Sequence, residues 1–215
     1  MRVGVIDYGV GNLGSVLRAL ESLGAEATAL RQPAELAGVD RLVLPGVGSF
    51  TTCMGLLDDG GWTSALRHQV RDQGTPLLGI CLGMQLLAGS GLEGSDQPGG
   101  TPGLGLVPGR VVSLASLGCT QRLPHVGWNG VQPAQDDALL AGIPTGTDFY
   151  FVHSYGMVPD DAAHLLATTD YGLPVAAVVR HGHVCGTQFH PEKSGRAGFR
   201  LLRNFLALVT EPVPC

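Results

Sequence analysis

Short apolar runs recur along the first eighty residues, each too brief for a helix and each followed by a stretch of different period. Residues 2–8, 41–45 and 76–80 are rich in the Val, Ile and Leu that suit a pleated, buried strand, and 26–30 is a further strand-like run. Between them, residues 12–23 place Leu13, Val16, Leu17 and Leu20 at helical spacing, and 62–71 is a second helix candidate. This β-α-β-α order predicts a parallel sheet with helices on both faces and working groups at the carboxyl ends of the strands.

The second half has a different texture. Residues 107–115, 122–128, 149–157, 164–167, 175–180 and 184–190 read mostly as strands, and a closing helix is expected over 198–209. The expectation is a three-layer αβα, flavodoxin-like fold with a mixed central sheet. The later strands are expected as antiparallel additions to it, within one domain spanning residues 1–215. Residues 89–105, rich in Gly with Pro98 and Pro102, are long for a connection and read equally as a functional flap and as a mobile surface loop.

Composition narrows the classes. With 215 residues, 44% hydrophobic and 14% charged, the chain can bury a good core. A net charge of −5 argues against nucleic-acid or anionic-membrane partners. No apolar run approaches the length of a membrane span, and the N-terminus enters a strand directly where a signal peptide would differ. Five cysteines without a Cys-x-x-Cys pair suit a reducing cytoplasm and argue against disulfides or a zinc site. No metal and no cofactor are expected.

Candidate chemistry centres on Gly79-Ile80-Cys81-Leu82-Gly83, between a strand-like run and the helix-like Met84-Gln85-Leu86-Leu87-Ala88. Glycines two residues either side of a reactive side chain mark a nucleophile elbow, a turn too tight for neighbours with a Cβ. At a helix start the orphan N–H groups and dipole favour thiolate. A base is offered by Val184-Cys185-Gly186-Thr187-Gln188-Phe189-His190-Pro191-Glu192, where strand alternation through His190 would return Glu192 to the same side. Taken singly, a core cysteine, a strand-end histidine and a loop carboxylate need no function. Together they form a Cys–His–Glu triad.

Two further patterns compete for attention. Gly9-Val10-Gly11-Asn12-Leu13-Gly14 fits the dinucleotide fingerprint, but the second strand ends near Leu30-Arg31 without the acidic residue a ribose needs, although an arginine there suits a phosphorylated ribose. His181-Gly182-His183 has the look of metal ligands but sits where a hairpin turn belongs.

Gly-Ile-Cys-Leu-Gly-Met-Gln at 79–85, followed downstream by Gln-Phe-His-Pro-Glu at 188–192, resembles the class I (triad) glutamine amidotransferases. Ile6-Asp7-Tyr8-Gly9-Val10-Gly11-Asn12-Leu13, Leu44-Pro45-Gly46-Val47-Gly48-Ser49-Phe50, Pro124-His125-Val126-Gly127-Trp128-Asn129, Tyr150-Phe151-Val152-His153-Ser154-Tyr155 and Glu192-Lys193-Ser194-Gly195 are similar to the glutaminase-subunit family of imidazole glycerol phosphate synthase.

The resemblance implies that Cys81, His190 and Glu192 deamidate glutamine. An oxyanion hole would draw on Leu82 and on Val47 or Gly48, while Gln85, Ser154 and Tyr155 would hold the substrate's amino-acid end. It also implies a heterodimer with a (β/α)₈-barrel cyclase in histidine biosynthesis, touched by Asn12, Trp128 and Lys193. Lys193 is the one lysine among thirteen basic side chains, which suggests a position that wants a compact ammonium.

Many members of the superfamily carry Pro-Gly-Gly where this chain has Pro45-Gly46-Val47-Gly48. A β-branched residue at positive φ costs roughly 1–3 kcal/mol, which implies an oxyanion loop biased toward an inactive setting. His153 reads equally as a core residue and as a ligand. The competing functions are the glutaminase subunit of a pyridoxal phosphate or anthranilate synthase, and a non-catalytic binding or redox-sensing module of the same fold.

Overall fold

Apolar alternation along the early strands sends successive side chains to opposite faces, and both faces are covered. The computed structural model describes residues 1–209. Its first half runs β1 (Arg2–Ile6), α1 (Leu13–Ser22), β2 (Glu26–Leu30), a 3₁₀ turn at Pro33–Gly38, β3 (Arg41–Gly46), α2 (Phe50–Asp59), α3 (Trp62–Arg67), β4 (Leu77–Cys81) and α4 (Leu82–Leu86). The rest runs β5 (Ser90–Gly91), β6 (Thr101–Pro102), β7 (Gly109–Ser113), β8 (His125–Pro133), β9 (Thr147–His153), β10 (Tyr155–Pro159), β11 (Leu165–Asp170), β12 (Pro174–His181), β13 (Val184–Thr187) and α5 (Gly195–Ala207).

Nine strands form the main sheet in the order β2-β1-β3-β4-β13-β12-β11-β8-β9. β2, β1, β3, β4 and β13 are mutually parallel, and the remaining four add antiparallel. Val3, Val5, Val43, Leu78 and Ile80 pack with residues of α1 and α5 on one face. Ile6, Leu42, Leu44 and Leu77 pack with α2, α3 and α4 on the other. These are the three layers that the sequence pattern predicts.

The decisive pairing is β13 against β4, with Gly186 opposite Gly79 and Thr187 opposite Ile80. It brings the C-terminal segment alongside the strand that carries Cys81. Phe149 of β9 stacks on Phe189 at 4.0 Å, and both are fully buried. Each such side chain contributes about 1.5–3 kcal/mol, so the segment carrying His190 is anchored by packing as well as by pairing.

Several expected elements differ. Residues 149–157 are two strands in different sheets: β9 ends the main sheet at His153, and β10 joins a separate four-stranded sheet, β10-β7-β5-β6. The run over 107–115 supplies β7 of that second sheet, so these two are not additions to the central one. The strand expected over 184–190 stops at Thr187, where its parallel neighbour β4 turns into α4 after Cys81; on the β12 side the Gln188 N–H still donates to the Ala177 carbonyl at 2.9 Å. The helix at 62–71 ends at Arg67 and widens into a π-helical turn over His68–Asp72. The closing helix starts earlier, at Gly195, and ends at Ala207. α2 was not anticipated.

Candidate active site

Cys81 is the only non-glycine residue at positive φ among the described residues, with φ 56° and ψ −113°. Such a backbone costs about 1–3 kcal/mol and persists only where its surroundings enforce it. The flanking glycines show how. A Cβ on Gly83 would lie 1.8 Å from the Leu44 carbonyl oxygen, and one on Gly79 would lie 2.6 Å from that of Gly83. The elbow is therefore wedged between β3 and its own helix. α4 itself is short, so the local donors near Cys81 are the orphan amides of its first turn more than an extended dipole.

His190 follows β13 and is held by its backbone. Its N–H donates to the Tyr150 carbonyl at 2.9 Å, and the Ser194 hydroxyl donates to its carbonyl at 2.6 Å. Pro191–Lys193 then forms a 3₁₀ turn, and that turn, not strand alternation, folds Glu192 back so that Oε1 sits 2.9 Å from His190 Nδ1. The Glu192 side chain is 1% exposed. Burial alone would lower the His190 pKa, but the hydrogen bonds and charges of Cys81 and Glu192 outweigh it and push the value up to about 9. The imidazole is thus set between a thiol and a buried carboxylate, as a proton shuttle requires.

A cavity of about 300 Å³ opens beside the thiol, lined by Val47, Gly48, Cys81, Leu82, Gln85, Glu93, Val152, His153, Ser154, Tyr155, His190 and Lys193. Every residue expected for catalysis, oxyanion stabilisation or substrate holding lies on it, save Glu192 behind His190. Gln85 is buried, and its Nε2 donates both to the Tyr155 carbonyl at 3.0 Å and to Gln188 Oε1 at 2.9 Å. With both amide hydrogens spent inward, its Oε1 is the acceptor left for a ligand. At the oxyanion loop Gly48, with φ 103°, takes the left-handed backbone and Val47 does not. The Val47 carbonyl accepts from Cys53 Sγ at 3.3 Å.

Among the expected partner contacts, Trp128 is 57% exposed and meets Tyr150 edge-on at 6.0 Å. Lys193 Nζ lies 5.9 Å from the centre of the same Tyr150 ring. Trp128 and Lys193 are therefore brought onto one surface beside His190. Asn12 stands at the start of α1, the helix that packs against the Pro191–Lys193 turn.

Sequence reasoning missed three neighbours. Glu93, half-buried, accepts from the Phe50 N–H at 3.1 Å, and burial raises its carboxyl pKa. It comes from the 89–105 stretch, which is pinned to α2 through Thr51: both its N–H and its hydroxyl donate to the Glu93 carbonyl, at 3.2 and 2.9 Å. Through Glu93 that stretch reaches the cavity wall, and no local motif announces it. Gln188, inside the Gln-Phe-His-Pro-Glu run, points Nε2 at Cys81 Sγ at 3.9 Å. His125 hydrogen-bonds His153 at 3.0 Å behind the cavity.

The two distracting motifs are absorbed by structure. Arg31 pairs with Asp7 at 3.6 Å, and a Cβ on Gly11 would press on Pro45 at 3.3 Å, so the glycine loop serves close approach to the oxyanion loop. His181 Nδ1 meets the Leu106 carbonyl at 3.0 Å and His183 Nε2 that of Val70 at 2.8 Å, on either side of a tight turn at Gly182.

Residues 4–209 match the family model for glutamine amidotransferase class-I. The chain is 45% identical over 207 residues to the imidazole glycerol phosphate synthase subunit HisH of Moorella thermoacetica, covering 96% of this chain and 95% of that one. It is 48% identical over 210 residues to the subunit of the same name from Symbiobacterium thermophilum, covering 98% and 95%. Among solved structures, one described as a glutamine amidotransferase is 25% identical with a TM-score of 0.74, covering 95% of this chain and 97% of that one. PurLQS from Thermotoga maritima, at 18% identity and a TM-score of 0.74 over 96% and 97% of the two chains, shares the fold.

Proposed function

The chain belongs to the class I glutamine amidotransferases and, within them, to the HisH subunits of imidazole glycerol phosphate synthase; from that premise we propose that residues 1–215 act as one domain that hydrolyses glutamine at Cys81 and passes on the ammonia. The observation that carries this reading is the meeting of Cys81 with His190, itself held 2.9 Å from buried Glu192, at one cavity.

The chemistry follows from those three groups. His190 takes the thiol proton, and Cys81 sulfur attacks the side-chain amide carbon of glutamine. The resulting oxyanion is met by the Leu82 N–H and by a donor from Val47 or Gly48. His190 returns the proton to the departing ammonia, leaving a glutamyl thioester, and Glu192 balances the imidazolium throughout. Water, deprotonated by His190, then releases glutamate and the thiol. Gln85, Ser154 and Tyr155 hold the amino-acid end.

Ammonia set free in water is largely protonated and lost as a nucleophile, so the product is best handed directly to an acceptor. We assign that role to a (β/α)₈-barrel cyclase that makes imidazole glycerol phosphate and an aminoimidazole carboxamide ribonucleotide, in a cytoplasmic heterodimer. Val126, Trp128 and Val152 are apolar, exposed and share one face of the β8–β9 pair beside the cavity, which suits a protein partner. Among the described residues no helix is long and apolar enough to cross a membrane.

The test is ammonia release from glutamine by the chain alone, with a barrel cyclase, and with the cyclase plus its nucleotide. Turnover that rises with the complete mixture and vanishes in Cys81→Ser is expected. Turnover that persists in Cys81→Ser would overturn the assignment.

A further inference from the structure

Behind the cavity wall, a row of polar side chains is joined in one direction only. The Tyr155 carbonyl oxygen can only accept, so His153 Nδ1, 2.8 Å away, carries a hydrogen. His153 Nε2 then accepts from His125 Nδ1 at 3.0 Å, and His125 Nε2 is left to accept from Asn129 Nδ2 at 3.4 Å. The Asn129 amide cannot turn over, because Nδ2 also donates to the Asp170 carbonyl at 2.7 Å and Oδ1 accepts the Gly130 N–H at 2.9 Å. Each imidazole is thereby fixed in one neutral tautomer.

The rings are held as firmly as their protons. His125 is stacked between Tyr171, at 3.9 Å and 21°, and Phe151, at 4.9 Å and 17°. His125 and His153 are 3% and 6% exposed. Burial lowers both pKa values, that of His153 to about 4, with the charges of His125 and His190 adding to the effect. The Tyr155 backbone pulls the other way and is outweighed.

What the row holds is the glutamine side of the cavity. The chain leaves the nine-stranded sheet at His153 and enters the four-stranded one at Tyr155, so Ser154 is the crossover between them. The His153 ring staples that crossover by bonding two residues ahead. The same Tyr155 carbonyl receives Nε2 of Gln85, a residue that lines the cavity.

We propose that His125 and His153 are positioning residues for substrate binding: a neutral, one-way pair that fixes the Tyr155 carbonyl and, through it, the Gln85 side chain against glutamine's amino-acid end. The inference rests on the reading of the cavity as a glutamine site. It assigns the pair to binding and not to proton transfer, which His190 carries out.

The test compares His153→Leu, His153→Asn and His125→Phe in the complex with the barrel cyclase and its nucleotide. Asparagine can still present an N–H near the Nδ1 position, whereas leucine cannot. Phenylalanine at 125 keeps the stack but removes the donor to His153. The loss of one buried hydrogen bond predicts a glutamine KM raised about tenfold in His153→Leu, with kcat within about threefold of the parent. His153→Asn should recover most of that KM, and His125→Phe should show a rise of about threefold.

An unmoved KM in folded His153→Leu, a loss confined to kcat, or an asparagine variant no better than leucine would overturn the positioning role. Should His153→Leu fail to fold, His125→Phe decides by itself, since an unchanged KM there leaves the pair without a function. If the parent complex releases no ammonia, it is the glutaminase reading that fails instead.

Discussion

Glu192 Oε1 lies 2.9 Å from His190 Nδ1, and the carboxylate reaches that place through a 3₁₀ turn of three residues with a side chain 1% exposed. Its other oxygen, Oε2, has no hydrogen-bond partner among the described residues. A buried carboxylate so placed has one means of balancing its charge, the imidazolium beside it.

Replacing Glu192 with Gln keeps the shape and removes that charge. The imidazolium loses its counter-charge and the ring its fixed tautomer. We expect kcat to fall roughly 10²–10⁴-fold with little change in glutamine KM. The pKa of His190, followed by NMR of the ring protons, should move downward. A kcat within a few-fold of the parent would remove Glu192 from the triad.

Stability should pass through a maximum near pH 6.5, the ordinary histidine value. His190, raised to about 9, adds stability that is fully present below 6.5 and fades as pH climbs through 9. His153, lowered to about 4, acts on the other limb: between 6.5 and 4 the unfolded chain binds the proton more readily, so stability falls with acid. Each limb is on the order of 1–3 kcal/mol. Chemical denaturation at several pH values should show the His190→Asn variant with a flatter alkaline limb. The acid limb persists because burial, the largest cause of the His153 shift, is untouched, and it is reduced only by the loss of the His190 charge. The same shape in parent and variant would contradict the linkage.

Gly83→Ala should be among the most damaging small substitutions in the chain. Its methyl group would meet a backbone oxygen at 1.8 Å, and a backbone cannot swing aside as a side chain does. A cost of about 3 kcal/mol or more is expected, together with loss of glutaminase activity even where the protein folds. Gly55→Ala, with open space around the position, is the control and should leave the melting temperature within a few degrees. Equal melting temperatures for the two would refute the wedge between β3 and α4.

Val47→Gly probes the oxyanion loop. Val47 lies outside the left-handed region, its carbonyl is tied to Cys53, and Gly48 takes the positive φ. Turning the Val47 N–H inward at positive φ would cost this residue roughly 1–3 kcal/mol that glycine does not bear. Basal glutaminase activity of the isolated chain should rise about tenfold, with less further gain on adding the cyclase. Unchanged basal turnover would mean that the loop is not the switch.

The elbow was legible because its demands are local. Gly79 and Gly83 flank Cys81 within two residues, and any chain that turns so sharply needs glycine there whatever surrounds it. The β-α-β-α order was legible for the same reason, since the spacing of Leu13, Val16, Leu17 and Leu20 reports a buried face from within a single segment. The triad could be read as a set of residue types, and the Gln-Phe-His-Pro-Glu run supplied two of them.

Only the tertiary structure decided how they meet. The β13–β4 pairing that sets His190 beside Cys81, the division of 149–157 between two sheets, and Glu93, Gln188 and His125 around the cavity all depend on partners distant in the chain. An apolar period says that a face will be buried but not against what. Hydrogen-bond donors and acceptors likewise reveal their partners only once packing has chosen which strands are neighbours. The sequence alone determined the chemistry available to this protein; the long-range packing decided where each group stands and which proton each ring carries.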